Sequence, residues 1–102
     1  MANYIGKKVI IRADRAGVFY GTLTECEPLG DKLQVTMTKC RRLWCWDGAA
    51  SLSQLATDGT TAPSNCKFTV VVDKMVIMGV IEILPCTDKA IESIESVKVW
   101  KR

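Results

Sequence analysis

Two arginines and two tryptophans stand close together in the middle of the sequence, within residues 40–56. Arg41 and Arg42 are followed by Trp44 and Trp46 at alternate positions. A guanidinium group matches the oxygens of a phosphate, and an indole face stacks on a nucleobase. These residue types predict a site that binds a nucleotide and does not react with it.

The two arginines are expected to point in opposite directions. A strand is predicted over residues 40–46, where successive side chains go to opposite faces of the sheet. Arg42 then shares its face with Trp44 and Trp46, and Arg41 lies on the other face. Arg42 is therefore expected beside the tryptophans, whereas Arg41 is expected to serve an oligomer contact or a second ligand.

A helix is predicted directly after this strand. Asp47 is expected to cap it, and Asp58 and Gly59 are expected to end it. The amino terminus of a helix presents free amides and a partial positive charge, which suit a phosphate. Ser51 is expected to add a hydroxyl contact, so the helix start joins the predicted site.

The predicted ligand set has four further members outside this segment. They are cationic, aromatic or amide side chains: Arg12, Phe19, Asn65 and Phe68. A structural role competes with ligand binding for every member of the set. Tryptophan is often a core residue, a carboxylate near a helix start often caps it, and arginine often covers apolar surface.

The residue types that most enzymes and metal sites use are scarce. The chain has no histidine, and its five cysteines are scattered without a C-x-x-C pair. The commonest general base is therefore absent, and the cysteine spacing argues against zinc and against a disulfide framework. Neither a P-loop nor a G-x-S-x-G motif occurs. We expect no catalytic residue, no metal and no cofactor, and we expect that the protein is not an enzyme.

The surrounding sequence predicts a small domain of short strands. Its length favours one domain over residues 1–102. The predicted elements besides the first helix are strands at residues 7–14, 18–26, 33–38, 40–46, 66–72 and 74–84, and a second helix at residues 88–96. Gly21 in mid-strand predicts a bulge, a sharp bend or a close approach to the backbone. The fold class expected is α+β, a small, strongly curved antiparallel β-sheet or partial barrel with two short helices.

Composition limits the kinds of partner that such a domain is expected to have. Hydrophobic residues make up 48% of the chain, so a dimer or larger assembly that hides an apolar face is expected. The net charge of +3 suits an anionic ligand but is well short of a general nucleic-acid-binding surface. The longest apolar-rich run, residues 75–84, contains Glu82 and is too short to span a bilayer, so no membrane partner is expected.

Five segments of the sequence form a recognisable set. They are A-G-V-F-Y-G-T-L at residues 16–23, R-R-L-W-C-W-D-G-A-A-S-L-S-Q-L-A at residues 41–56, N-C-K-F at residues 65–68, V-I-E-I-L-P-C-T at residues 80–87, and the terminal V-W-K. Together they resemble a family of small phage and prophage proteins, the first-described Thoeris anti-defence proteins. Two positions depart from the family pattern. Arg15 stands where a small hydroxyl residue is expected, and Cys45 stands where an aromatic residue is expected, so either could alter the pocket.

The resemblance implies a cyclic nucleotide sponge. Such a protein sequesters cyclic ADP-ribose isomers made by TIR-domain defence enzymes, without cleaving them, in the cytoplasm of the infected or lysogenic bacterial host. The resemblance also implies a homo-oligomer built from dimers, up to a hexamer. Some members hold cyclic oligonucleotides at a separate site, which makes such a site an expectation for this chain.

Three other functions compete with this interpretation. A small barrel could bind RNA or single-stranded DNA through its tryptophans and arginines, with strong salt dependence. A phosphodiesterase would need Asp47 or Asp73 to hold a metal ion. A phage structural or inhibitor protein would bury the tryptophans against another protein.

Overall fold

The computed structural model describes residues 4–101, so residues 1–3 and 102 of the predicted domain lie outside the described residues. Three long strands and one short strand form a closed ring, and two helices pack on its outside. The elements are β1 (Lys8–Ala13), β2 (Gly17–Leu29), β3 (Lys32–Cys45), α1 (Leu52–Asp58), β4 (Lys67–Phe68), β5 (Val72–Pro85) and α2 (Asp88–Ser96), with a 3-10 turn at Pro63–Asn65.

The ring closes because each of its four strands, β1, β2, β3 and β5, pairs with two others. β1 pairs with β2 and β5, and β3 pairs with β2 and β5, all antiparallel, while β4 adds to the end of β3. β5 changes partner near Gly79, where φ is 81° and the β1–β5 register shifts. The α+β prediction of a strongly curved antiparallel sheet with two short helices is confirmed. No helix among residues 4–101 is long and apolar enough to cross a membrane.

Alternation along the strands divides the core into two clusters. On β1, Val9 and Ile11 point into the barrel, whereas Ile10 points outward to the helices. The barrel interior is filled mainly by Val9, Ile11, Phe19, Leu23, Val35, Met37, Ile77 and Val80. The outer cluster joins the barrel to the helices through Ile10, Tyr20, Leu43, Leu55, Phe68, Ala90, Ile94 and Val97. The same alternation separates Arg41 from Arg42.

Two predicted strands prove to be one. The strands expected at residues 33–38 and 40–46 are joined in β3, with Lys39 at φ 50° as an irregular residue between them. Gly21 of β2 lies opposite this irregularity, and a Cβ added there would lie 3.0 Å from the Cα of Cys40. The prediction of a bulge or close approach at Gly21 is therefore confirmed. β4 is shorter than the strand predicted at residues 66–72.

Gly59 controls how the two helices meet, and its replacement provides a test. It follows α1 with φ 76°, and a Cβ there would lie 2.3 Å from the Cβ of Ser93 on α2. We expect Gly59→Ala to lower the free energy of unfolding by about 3 kcal/mol, through left-handed strain plus overpacking. Gly30→Ala is the matched control because its φ is 65° and nothing lies within 4 Å. Equal losses for both variants in urea unfolding would contradict this packing.

Candidate functional site

A cleft of about 320 Å³ lies between the β1–β2 turn and the end of β3. It is lined by Arg15, Ala16, Gly17, Val18, Arg42, Leu43, Trp44 and Trp46. The pairing of Phe19 with Arg42 places the turn beside the end of β3. Three of the predicted ligand residues, Arg42, Trp44 and Trp46, therefore line one cleft. Its volume is at the lower end of the range for small-molecule sites, about 300–1,000 Å³.

Arg42 is held over an aromatic ring at the base of this cleft. Its guanidinium carbon lies 4.7 Å from the centroid of the Phe19 ring. Among residues 4–101, no carboxylate lies within 4.0 Å of the Arg42 side-chain nitrogens. Its charge is therefore free to meet an anion, on a side chain whose position the ring already restricts.

Phe19 does not offer its ring to a ligand, although the sequence analysis places it in the ligand set. Its ring is 1% exposed and belongs to the barrel interior. Its side chain instead supports the guanidinium of Arg42. The residue affects the cleft by positioning the arginine rather than by direct contact.

The two tryptophans differ in how much indole surface they offer. Trp44 is 62% exposed, so a large part of its surface can accept a planar partner. Trp46 is partly buried and packs against the cluster between barrel and helices. Trp44 is therefore the better platform for a base, and Trp46 forms a fixed wall of the same cleft.

The helix predicted at Asp47 begins four residues later. Ser51 is the N-cap, and its hydroxyl oxygen accepts a hydrogen bond from the Gln54 amide at 3.1 Å. The side-chain carbonyl of Gln54 accepts from the Ala50 amide at 2.7 Å. The predicted role of Asp47 as helix cap is therefore wrong, because Ser51 starts the helix. Ser51 is not among the residues that line the cleft, so its predicted ligand contact stays a prediction.

Asp47 and Asn65 brace the loop instead of lining the cleft. The Asp47 carboxylate accepts from the Gly48 amide at 2.8 Å and from the Asn65 side-chain amide at 3.1 Å. Neither residue is among those that line the cleft. Their contacts fix the segment that follows Trp46, which is a structural role.

Arg41 and Phe68 form a buried structural unit on the opposite face of β3. Arg41 is 3% exposed, and its guanidinium carbon lies 5.4 Å from the Phe68 ring centroid. Its nitrogens donate to the carbonyl oxygens of Phe68, Thr69 and Val97 at 3.1 Å and of Ile94 at 3.3 Å. Burial lowers the pKa of Arg41 from its ordinary value, and Tyr20 partly offsets this shift. Phe68 is fully buried, so its ring does not reach a ligand, although the sequence analysis places it in the ligand set.

Arg12 lies outside the cleft, and Arg15 lies inside it. The Arg12 side chain pairs with Glu82 across β1 and β5 at 3.1 Å, on the outer surface. Arg15 lies between β1 and β2, and the predicted ligand set omits it. It reaches the cleft because β2 pairs with β3, a proximity that the order of residues does not reveal.

Metal-ligating side chains are not gathered anywhere in the described part of the chain. No group of three or more histidine, cysteine, aspartate or glutamate residues within residues 4–101 could hold a metal ion. The five cysteines are all free thiols, in positions from fully buried to exposed. The chemistry of the cleft therefore comes from its arginines and indoles.

Comparison with known proteins identifies a family. A family model described as Domain of unknown function (DUF6948) matches residues 6–94, which include the whole cleft. No curated protein and no solved structure matches the chain significantly. The family description states no activity, so the resemblance to the Thoeris anti-defence proteins stays an expectation. Because the match covers most of its length, the chain belongs to the family described as Domain of unknown function (DUF6948).

Proposed function

We propose that the protein binds a cyclic ADP-ribose isomer in the cleft of Arg42, Trp44 and Trp46 and holds it unchanged. In this proposal it removes a TIR-derived immune signal in the cytoplasm of an infected or lysogenic bacterial host. The observation that carries the proposal is the convergence of two arginines and two indoles on one cleft. Neither Arg15 nor Arg42 has a carboxylate within 4.0 Å among residues 4–101.

The chemistry of these groups suits the two halves of such a ligand. Guanidinium groups pair with phosphate oxygens by charge-assisted hydrogen bonds, so Arg42 and Arg15 take the pyrophosphate. The exposed face of Trp44 takes the adenine by stacking, which contributes about 1–3 kcal/mol per base. Because Arg42 already rests on Phe19, little side-chain entropy is lost when it binds.

The lining of the cleft favours holding a ligand over cleaving it. Its eight residues are two arginines, two tryptophans and four residues with small or aliphatic side chains. None of these side chains titrates near neutral pH or serves as a usual nucleophile. Sequestration needs contact without turnover, and these side chains supply contact.

Assembly is part of the same proposal. Val76 and Met78 lie on the same face of β5 and are 50% and 61% exposed, and adjacent exposed apolar side chains can mark an association surface. These residues support the expected homo-oligomer built from dimers, in which a second copy would cover them.

The proposal predicts that ligand is removed from solution and can be recovered intact. Protein in molar excess is mixed with cyclic ADP-ribose isomers, the free fraction is removed by filtration, and the retained protein is denatured by heat. We expect the free ligand to be depleted and the unaltered ligand to reappear, as identified by mass spectrometry. Recovery of a cleaved product would indicate an enzyme, and absence of depletion would contradict the assigned ligand class.

A parallel titration with single-stranded RNA and DNA distinguishes this proposal from its main alternative, which is binding of a nucleic-acid strand. The same arginines and indoles could hold a strand, but that binding would weaken steeply with added salt because counterions are released. We expect cyclic ADP-ribose binding to depend much less on salt, since only two arginines meet the phosphates. Tight, salt-sensitive binding of the strand together with no depletion of cyclic ligand would favour the rival.

A further inference from the structure

A second cavity, of about 340 Å³, lies on the opposite side of β3 from the cleft. It is lined by Lys8, Tyr20, Gly21, Thr22, Lys39, Arg41, Val71 and Glu95. Its wall is formed by strands β1, β2 and β3, by the segment before β5 and by the end of α2. The cavity shares no lining residue with the cleft of Arg42 and Trp44. We propose that this cavity binds the phosphate group of a small phosphorylated molecule or free phosphate.

Arg41 brings an unbalanced positive charge to the wall of this cavity. Among residues 4–101, no carboxylate lies within 4.0 Å of its guanidinium, although the side chain is almost fully buried. A guanidinium has five N–H donors, and four hydrogen bonds to carbonyl oxygens leave one Nη2 hydrogen without a described acceptor. The four carbonyl oxygens satisfy most of its donors but carry no formal negative charge, so an anion in the cavity would still be attracted to the guanidinium.

Two lysines line the same cavity, and each is paired with a carboxylate. Glu95 accepts hydrogen bonds from the Lys8 ammonium at 2.6 Å and from the Tyr20 hydroxyl at 2.7 Å. The Lys39 ammonium lies 3.3 Å from Asp73, whose side chain is 92% exposed and outside the wall. With both pairs counted, three cations face two carboxylates, and the excess of one positive charge belongs to Arg41. A phosphate monoester near neutral pH carries a charge of about −1.5 to −2, so it is attracted to this excess.

The shape of β3 places these groups around the cavity. Lys39 occupies the left-handed region at φ 50°, where the strand has an extra residue opposite Gly21. Bulges of this kind redirect a side chain and recur next to functional sites. Thr22 adds a hydroxyl donor, and Val71 offers apolar surface to the carbon part of a ligand. These features favour a phosphorylated metabolite or free phosphate over an apolar ligand.

Calorimetric titration with inorganic phosphate and with glycerol 3-phosphate tests this proposal. Lys39→Gln is the test variant, because its exposed side chain can change without disturbing the core. Lys74→Gln on β5 removes the same charge outside the cavity and is the matched control. We expect Lys39→Gln to weaken binding about tenfold or more, since one charge-assisted contact contributes about 1.5–3 kcal/mol. Lys74→Gln should bind as the unmodified protein does.

The two ligands identify the source of the phosphate. Tighter binding of glycerol 3-phosphate supports a phosphorylated molecule, and tighter binding of inorganic phosphate supports the free ion; either result supports the site. The proposal is overturned if neither ligand binds, if Lys39→Gln binds unchanged, or if both variants weaken binding equally. None of these outcomes bears on the cleft, because depletion of cyclic ADP-ribose isomers is measured separately.

Discussion

Replacing Arg41 with methionine should lower the free energy of unfolding by about 4 kcal/mol. Among residues 4–101, the carbonyl oxygens of Thr69 and Val97 accept a hydrogen bond only from Arg41. An unsatisfied buried polar group costs about 1–3 kcal/mol, and methionine offers no donor to either oxygen. Because a domain of this size has about 5–15 kcal/mol of total stability, the loss is severe.

The reason for so large an effect is that Arg41 links parts of the chain that are distant in sequence. Its guanidinium joins β3 to the segment after β4 and to the end of α2, where it meets the Ile94 and Val97 carbonyl oxygens. A cation at a helix carboxyl end is also favoured by the helix dipole. Without it, α2 loses its anchor on the barrel.

Arg42→Met is the matched control for this experiment. It changes the neighbouring arginine, which is exposed, on the opposite face of the same strand. We expect its cost to be below about 1 kcal/mol, since surface substitutions rarely exceed that. Urea unfolding of the two variants measures the difference. Losses of similar size would mean that the hydrogen bonds of Arg41 do not stabilise the fold as described.

Trp44→Ala and Arg42→Ala should each weaken the binding of a cyclic ADP-ribose isomer by about 10- to 100-fold. Stacking on one indole contributes about 1–3 kcal/mol per base, and a charge-assisted hydrogen bond contributes about 1.5–3 kcal/mol. Each 1.4 kcal/mol corresponds to a factor of ten in affinity. Calorimetric titration of each variant measures the change, and circular dichroism checks that the fold is intact.

Matched controls distinguish loss of the cleft from a general change of surface. Arg12→Ala removes an exposed arginine that pairs with Glu82 outside the cleft, and Trp100→Ala removes a half-exposed tryptophan near Lys67. Both control variants should bind the ligand as the unmodified protein does. If they weaken binding as much as the cleft variants, the ligand does not occupy the proposed position.

Local periodicity was sufficient to predict part of the site. Alternation along a strand depends only on backbone geometry, so the sequence placed Arg42 and Trp44 together and put Arg41 on the other face. The close approach at Gly21 is likewise predictable, because a glycine inside a strand often marks a bulge, a bend or a close backbone contact. The number of short predicted strands is what predicts the curved antiparallel fold.

The roles of buried residues could not be predicted because they depend on distant partners. The sequence predicts Arg41 as a ligand residue, yet its partners Ile94 and Val97 lie more than fifty positions further along the chain. Phe19 could have faced either side of its strand, and only closure of the barrel puts it inside. Strand pairing also brings Arg15 to the cleft, which the order of residues alone does not reveal.

The sequence offers two candidate caps for the first helix, and the prediction selects the wrong one. Asp47 and Ser51 are both good cap residues, and the predicted cap was the first of them. Ser51 is followed three positions later by Gln54, the spacing of a capping box, and this pair starts the helix. Asp47 precedes Gly48, a pairing typical of a turn, and it accepts the Gly48 amide hydrogen there.

The most direct test of the proposed site uses the three tryptophans as reporters. Each indole N–H gives its own signal in a two-dimensional ¹H–¹⁵N NMR spectrum of labelled protein. On titration with a cyclic ADP-ribose isomer, we expect the signals of Trp44 and Trp46 to shift while that of Trp100 stays in place. Point variants of each tryptophan assign the three signals. A shift of Trp100 alone, or no indole shift at saturating ligand, would contradict binding in the cleft of Arg42, Trp44 and Trp46.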